Sequence, residues 1–358
     1  MTSANRDPSE KGAITKAAAH LGGALAARVL ARRTFLRLVT GSLLAAPLAA
    51  EAQPLPSPVR IGFLPLGLPS SAYDRSLVEA FRQGLRDVGL IENEHIVLEV
   101  VWAGSQSEIA GAVAELLERG AKLLVTCGTS NSVGAQRQAS RVPILFISVG
   151  NPVGIGLVES LSAPGGNITG FSDLLAELSG KYVELARDLG TSRTTTIDYL
   201  WHTGWQDGQH RLYATERAAT SLRMKLRPRA MSDLVDMNSV MAAIKKGGAV
   251  LLIVQPSPFT YGQRDRIIKA AMAHGLATIF AFPPAAREGA LIAYGPDYAY
   301  LYRQATPYVD RVLKGTKPAN LPVQQPSKYE LIINLKTAKA LGVTVPPALL
   351  HRADEVIE

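Results

Sequence analysis

The chain has 358 residues, enough for two lobes that each bury a core of their own. Its formal charge of +8 comes from 38 Lys/Arg against 30 Asp/Glu, but seven of those basic residues and three of the acidic ones fall in the first 52 positions. The remainder is mildly basic with no Lys/Arg run interleaved with aromatics, so it offers no footprint for nucleic acid. A single cysteine, Cys127, excludes an internal disulfide and a thiolate metal site, and the six histidines lack ligand spacing, so no metal is implied.

In chain order, positions 31–53 come first. Arg32-Arg33 and Phe35-Leu36 lead into an apolar run from Leu38 to Ala50, which ends in the small-x-small triplet Ala50-Glu51-Ala52. A cationic end, a short apolar helix and a slim cleavage site make an export signal. It resembles the twin-arginine type, whose cargo crosses already folded. At about 13 residues the run falls short of the ~20 that span a bilayer, which argues against an anchor. Cleavage is expected after Ala52, releasing the chain to the periplasm or its extracytoplasmic equivalent, with no cysteine there to carry a lipid. Residues 1–30 are Ala-rich without apolar periodicity and read as an over-long translation start or an extended leader. Residues 1–52 are therefore set apart from the fold.

From Val59 short apolar runs alternate with helical patterns. Strands are expected over 59–64, 95–102, 123–127, 143–149 and 168–171, with helices over 71–88 and 109–118 and a polar helix starting at Thr129. On the first helix Leu77, Val78, Phe81, Leu85 and Val88 share one side. Continuous apolar strands separated by helices predict a parallel sheet covered on both faces.

The alternation then repeats. Helices are expected over 174–189, 209–222, 233–245 and 261–273, and strands over 196–201, 226–231, 249–254, 278–282 and 291–294. A helix over 298–313, a Pro-rich stretch over 318–326, a strand over 329–333 and a helix over 335–341 form a tail too small to stand alone, so it should pack back on the two blocks. The fold class expected is α/β: two doubly wound parallel-sheet lobes joined by hinge strands. The limits expected are 58–170 with 296–322 for the first lobe and 171–295 with 323–358 for the second. Ligands of open parallel sheets bind at the carboxyl ends of strands, so two facing sheets place a site in the cleft between them.

The candidate binding residues sit at such strand ends. Gly128, Thr129, Ser130 and Asn131 join a buried strand to a helix, where free N–H groups attract a carboxylate; simple capping by Thr or Ser is the alternative. Asn151 closes the next strand with a donor and an acceptor, or else simply makes an Asn-Pro turn. In the second block Ser257 and Phe259 follow one strand and Phe282 ends another, while Trp201 and Trp205 flank an earlier one. Aromatic residues there could stack on a planar ligand, although Phe282 also reads as core. The first strand runs into Pro65-Leu66-Gly67-Leu68-Pro69, which is not a dinucleotide turn, and no phosphate-binding loop for ATP is present. No cofactor is implied.

Several stretches together carry a family resemblance. They are Val59 to Leu64, Ala80 to Leu85, Asn151-Pro152-Val153 continuing to Val158, Pro164 to Gly170, Gln325 to Gly342 and Arg352 to Glu358. From about Val59 onward the chain resembles the substrate-binding components of ABC transporters, in the group of tryptophan/tyrosine-type uptake proteins. The resemblance implies a class-I periplasmic-binding fold closing on a small ligand, and partners in an ABC permease with a separate ATPase. It places the first-lobe ligand loop on Gly128, Thr129, Ser130 and Asn131. It also marks departures. Asn151 stands where the group has an aspartate, Ser257 replaces the aspartate of a frequent Asp-Pro-Phe, Ala281 replaces a frequent glutamate, and His202 to Trp205 replace an Asn-Pro-Asn.

An amino acid's ammonium group wants a buried carboxylate, and these positions are neutral. The ligand expected is therefore a neutral or carboxylate-bearing small organic solute, with an aromatic ring as one option, rather than a standard α-amino acid. Asp173 or Asp207 are the remaining sources of negative charge. The function expected is an extracytoplasmic, monomeric solute-binding component that closes by a hinge. The rival is a ligand-sensing subunit for a membrane signalling protein. A third reading, a racemase-like enzyme, rests on Cys127-Gly128-Thr129 and lacks the second cysteine such chemistry uses.

Overall fold

The computed structural model describes residues 58–175, 177–190, 196–205, 207–232 and 236–358. The export signal expected over 31–53 lies outside them. The first sheet holds β1 (Val59–Leu64), β2 (Ile96–Val100), β3 (Leu123–Cys127), β4 (Ile144–Val149) and β5 (Ile168–Ser172), in the order β2-β1-β3-β4-β5 and all parallel. Its helices are α1 (Ala72–Asp87), α2 (Ile109–Glu118) and α3 (Thr129–Gln138). β3 and β4 are buried throughout, as strands covered on both faces must be. On α1 Leu77, Val78, Phe81 and Leu85 are buried, the stripe its periodicity predicts.

The chain then enters a second sheet through α4 (Ser179–Leu189). β6 (Thr196–His202), α5 (Gly208–Ser221), β7 (Lys225–Met231), α6 (Met237–Lys246) and β8 (Leu251–Val254) follow. Next come α7 (Pro258–Gly262), α8 (Arg264–Ala273), β9 (Ala277–Phe280), α9 (Pro284–Arg287) and β10 (Ile292–Pro296). α10 (Tyr298–Gln304) and α11 (Thr306–Leu313) return to pack against α1 of the first sheet. β11 (Tyr329–Asn334), α12 (Leu335–Leu341), α13 (Pro347–Leu350) and β12 (Glu355–Ile357) complete the second sheet, ordered β12-β11-β10-β9-β8-β6-β7.

Several expected elements differ for local physical reasons. The helix over 298–313 breaks at Ala305 because Pro307 has no N–H to give Arg303; the Thr306 hydroxyl bonds that carbonyl instead, at 2.8 Å. The helix over 261–273 is two pieces, the first started by a capping box on Ser257. α4 begins at Ser179 rather than 174, with Leu174 held at a left-handed φ of 53°. The start expected at Asp233 lies outside the described residues, and α6 opens on an Asp236 cap. β11 runs antiparallel to β10. The chain leaves β10 beside Tyr329 and comes back at the same end, so it has to run the other way.

Two crossings between the sheets are stitched together. Asp297 caps α10, accepting from the Tyr300 N–H at 2.9 Å, and pairs with Lys328 Nζ at 2.7 Å on the returning segment. Burial alone would raise the Asp297 carboxyl, but Lys328 and the capping N–H hold it below the ordinary carboxylate value. A carboxylate depressed in the folded state contributes stability that is present above its unfolded value, near ~4, and is lost as pH falls through the lower folded value. Asp297→Asn should therefore flatten the acid limb of stability, read by denaturant unfolding at stepped pH. An unchanged slope below about pH 4 would contradict this assignment.

Candidate ligand-binding site

β1, β3 and β4 of the first sheet and β6, β8 and β9 of the second point their carboxyl ends at one another. The turns that follow enclose a small cavity of about 30 Å³ lined by Gly128, Thr129, Asp173, Trp205, Arg211 and Ser257, among others. A larger one of about 470 Å³ shares Leu66, Trp205, Pro258 and Tyr261 with it and extends to Ser130, Asn131 and Phe259. Of the residues expected at the site, Gly128, Thr129, Trp205, Ser257 and Phe282 line the small cavity. Ser130, Asn131, Trp205 and Phe259 line the large one. Asn151 lines neither: its Oδ1 accepts the Gly154 N–H at 2.9 Å and closes its own turn. Its neighbours Gly150 and Ser148 take the place expected for it on the cavity wall.

Each wall residue is held by local chemistry. Gly128 turns from β3 into α3 at φ 84°, a conformation that favours glycine, and α3 starts without a side-chain cap. Asn131 donates its side-chain N–H to the Pro65 carbonyl at 3.0 Å, tying the β1 turn to α3. Ser257 caps α7, its Oγ accepting from the Thr260 N–H at 3.1 Å. Phe259 stacks on His202 with ring centroids 4.5 Å apart, and Phe282 meets Tyr261 edge-on at 4.7 Å. Ser148 sits at a left-handed φ of 62° where β4 bulges, an unfavourable backbone for serine. Its hydroxyl donates to Asp173 Oδ2 at 2.8 Å.

The charged groups of the small cavity come from both blocks. Asp173, just past β5, is buried and also accepts the Leu175 N–H at 3.3 Å. Burial pushes its carboxyl up from the ordinary value, against the opposing pull of Arg211 and the Ser148 hydroxyl. Arg211 on α5 is 2% exposed, donates from Nε to Asp207 Oδ2 at 2.7 Å and lies 4.7 Å from the Trp205 ring centroid. Its Nη1 has no hydrogen-bond partner among the described residues. An unmade bond on a buried cation costs more than on a neutral group, so it marks a place for an acceptor. Gly150 leaves room for this arrangement, since a Cβ there would overlap Arg211 Nη2. Gly150→Ala should displace the guanidinium and destabilise the fold by about 1–3 kcal/mol. Chemical denaturation would test this, and an unaltered midpoint would refute it.

A second set of contacts links the sheets beside the cavities. Tyr261 on α7 donates its hydroxyl to Asp74 Oδ1 on α1 at 2.6 Å, and the Leu68 N–H donates to Oδ2 at 2.9 Å. Arg264 Nη2 lies 3.8 Å from the same carboxylate and donates to Ser71 Oγ at 3.3 Å.

Arg211 escapes a search confined to strand ends, although the sequence holds a signal for it. Arg211, Thr215 and Ala219 form one i, i+4, i+8 row on α5, and all three are buried. A charge on an otherwise buried row, four residues after Asp207, marks an inward-facing pair. Asp173 and Asp207, the expected sources of negative charge, both come beside Arg211. The loop at Gly104 to Ser107, which borders the large cavity, carries no motif that would find it.

Known proteins share this fold. A curated relative from Clostridioides difficile (strain R20291), the tyrosine-binding protein, is 25% identical over 266 residues, covering 74% of this chain and 76% of its own. Among solved structures, one from Streptococcus pneumonia in complex with L-Trp matches with a TM-score of 0.76 at 23% identity, covering 84% of this chain and 100% of that one. A conserved domain protein from Vibrio cholerae matches at 0.75 and 24%, covering 83% and 99%. These likenesses establish the two-lobed class-I periplasmic-binding fold. The model of a family described as ABC transporter substrate binding protein matches residues 72–357, and with most of its length inside that match the chain belongs to this family.

Proposed function

We propose that the chain is the extracytoplasmic solute-binding component of an ABC uptake transporter and traps a small organic solute between its two sheets by hinge closure. The observation that carries this reading is the convergence of strand ends from both sheets on cavities that draw wall residues from each. A ligand touching both halves binds the closed form best and shifts the population toward it. The lobes are assigned to 58–170 with 296–322 and to 171–295 with 323–358, and Gly128 to Asn131, Trp205, Ser257, Phe259 and Phe282 are taken as contacts. The ring-bearing ligands of the tyrosine-binding relative and of the L-Trp complex support an aromatic solute here, and so do the aromatic side chains on the walls. Export is assigned to the twin-arginine-type segment, and the closed form is taken to dock on a permease.

Catalysis is not part of the proposal. The Cys127 thiol is buried and pushed up to about 12 by that burial, so it is protonated and inert at neutral pH. Native mass spectrometry of protein purified without refolding should show a small molecule bound. X-ray scattering should show compaction when that molecule is returned to stripped protein. Absence of both a bound mass and a ligand-driven change in radius of gyration would remove the proposal.

A further inference from the structure

We propose that Arg211 anchors a carboxylate of the ligand and that the solute is an aromatic monocarboxylate rather than an amine or an α-amino acid. This rests on reading the paired cavities as the solute site. Arg211 lines the small cavity, is buried, and keeps Nη1 without a partner among the described residues although Asp207 already occupies Nε. A guanidinium presents several donors in a fixed plane, a geometry that matches the two oxygens of a carboxylate. Thr129, in the first turn of the ten-residue α3, lines the same cavity, and that helix has no side-chain cap. Its N–H groups and positive helix end add to the field an anion would meet. One carboxylate can thus draw on α3 from the first sheet and on Arg211 from the second, so its affinity depends on the two being together.

Size sorts the rest of the molecule. The small cavity, about 30 Å³, has room for a head group and not for a ring, whereas the adjoining one, about 470 Å³, is walled by Trp205, Phe259 and Tyr261. The rival anchor is Asp173, which would hold an ammonium group. Its two oxygens already accept from Ser148 and Leu175. Burial raises its carboxyl above the ordinary value, opposed by Arg211 and by the Ser148 hydroxyl.

The test is calorimetric titration of the full chain with 3-phenylpropionate, 2-phenylethylamine and L-phenylalanine, which share a ring and differ in charge. 3-Phenylpropionate should bind at least ~100-fold more tightly than 2-phenylethylamine, and more tightly than L-phenylalanine. Arg211→Met alone would strand Asp207 and could unfold the chain, so the double variant Asp207→Asn/Arg211→Met is used, with its melting checked. It should erase the preference, lowering carboxylate affinity on the order of 100-fold. The inference falls if the amine or the amino acid binds as well as the acid, or if the folded double variant keeps the preference. If none of the three binds while native mass spectrometry finds another class of small molecule on the protein, the carboxylate assignment falls and the solute-binding reading stands. If no solute is found at all, both fall.

Discussion

Asp207→Ala is expected to lower the unfolding free energy by about 3–5 kcal/mol, the cost of stripping the partner from a buried ion pair. Arg211 and Asp207 have side-chain exposures of 3% and 5%, so neither can recover its hydration by turning outward. The substitution leaves a guanidinium in the interior with its Nε bond lost and Nη1 already without a partner among the described residues. Removing both charges should cost far less than removing one, because a pair of neutral side chains strands nothing. Equilibrium unfolding in guanidinium chloride of the single and double variants makes the comparison. A single variant no less stable than the double would show that the pair is not buried as described.

Asp74→Ala is expected to favour the open form by a factor of roughly 10–100. A hydrogen bond to a buried charged group is worth about 1.5–3 kcal/mol, and the Tyr261 bond to Asp74 at 2.6 Å spans the two sheets. Asp74 is 1% exposed and lines neither cavity, so a change in affinity on its removal is not a lost ligand contact. Two measurements should move together. The ligand-free radius of gyration should increase, and apparent affinity should fall by the factor by which the competent state is depopulated. Arg264 and the Tyr261 hydroxyl would also lose a buried acceptor, so some loss of global stability should accompany the shift. Scattering and affinity both unaltered would mean that this contact does not govern closure.

The site is legible in the sequence to the extent that strand ends are legible. Gly128 follows a short, mostly apolar run that is buried throughout, and Ser257 precedes a proline-started helix. Local pattern alone therefore puts both at strand ends, and both line the small cavity. Asn151 departs from its expected place for a physical reason: a short polar side chain can spend its oxygen on its own turn, and here it does so on Gly154. Phe282 lines the cavity although β9 stops at Phe280, because the chain turns there toward α9. That 151, 257 and 281 carry neutral residues, where the resemblance implies acidic ones, is readable from the residues themselves. Arg211 is legible only in part: its place four residues after Asp207, on one row with Thr215 and Ala219, is a local signal, but that row of one charged and two small residues does not announce which cavity it faces.

From the linear order alone come the alternation of strand and helix, the buried character of β3 and β4, the stripe on α1 and the doubling of the α/β unit. Each follows from periodicities of about 2 and 3.6 residues, which are set within one element. Only the folded chain decides that β11 runs against β10, that α10 and α11 return to α1, and that Asp173, Arg211 and Thr129 border one cavity. Those relations join residues tens of positions apart across two sheets, and no local pattern carries them. They depend on where the chain crosses and on what shape the two packed halves leave between them.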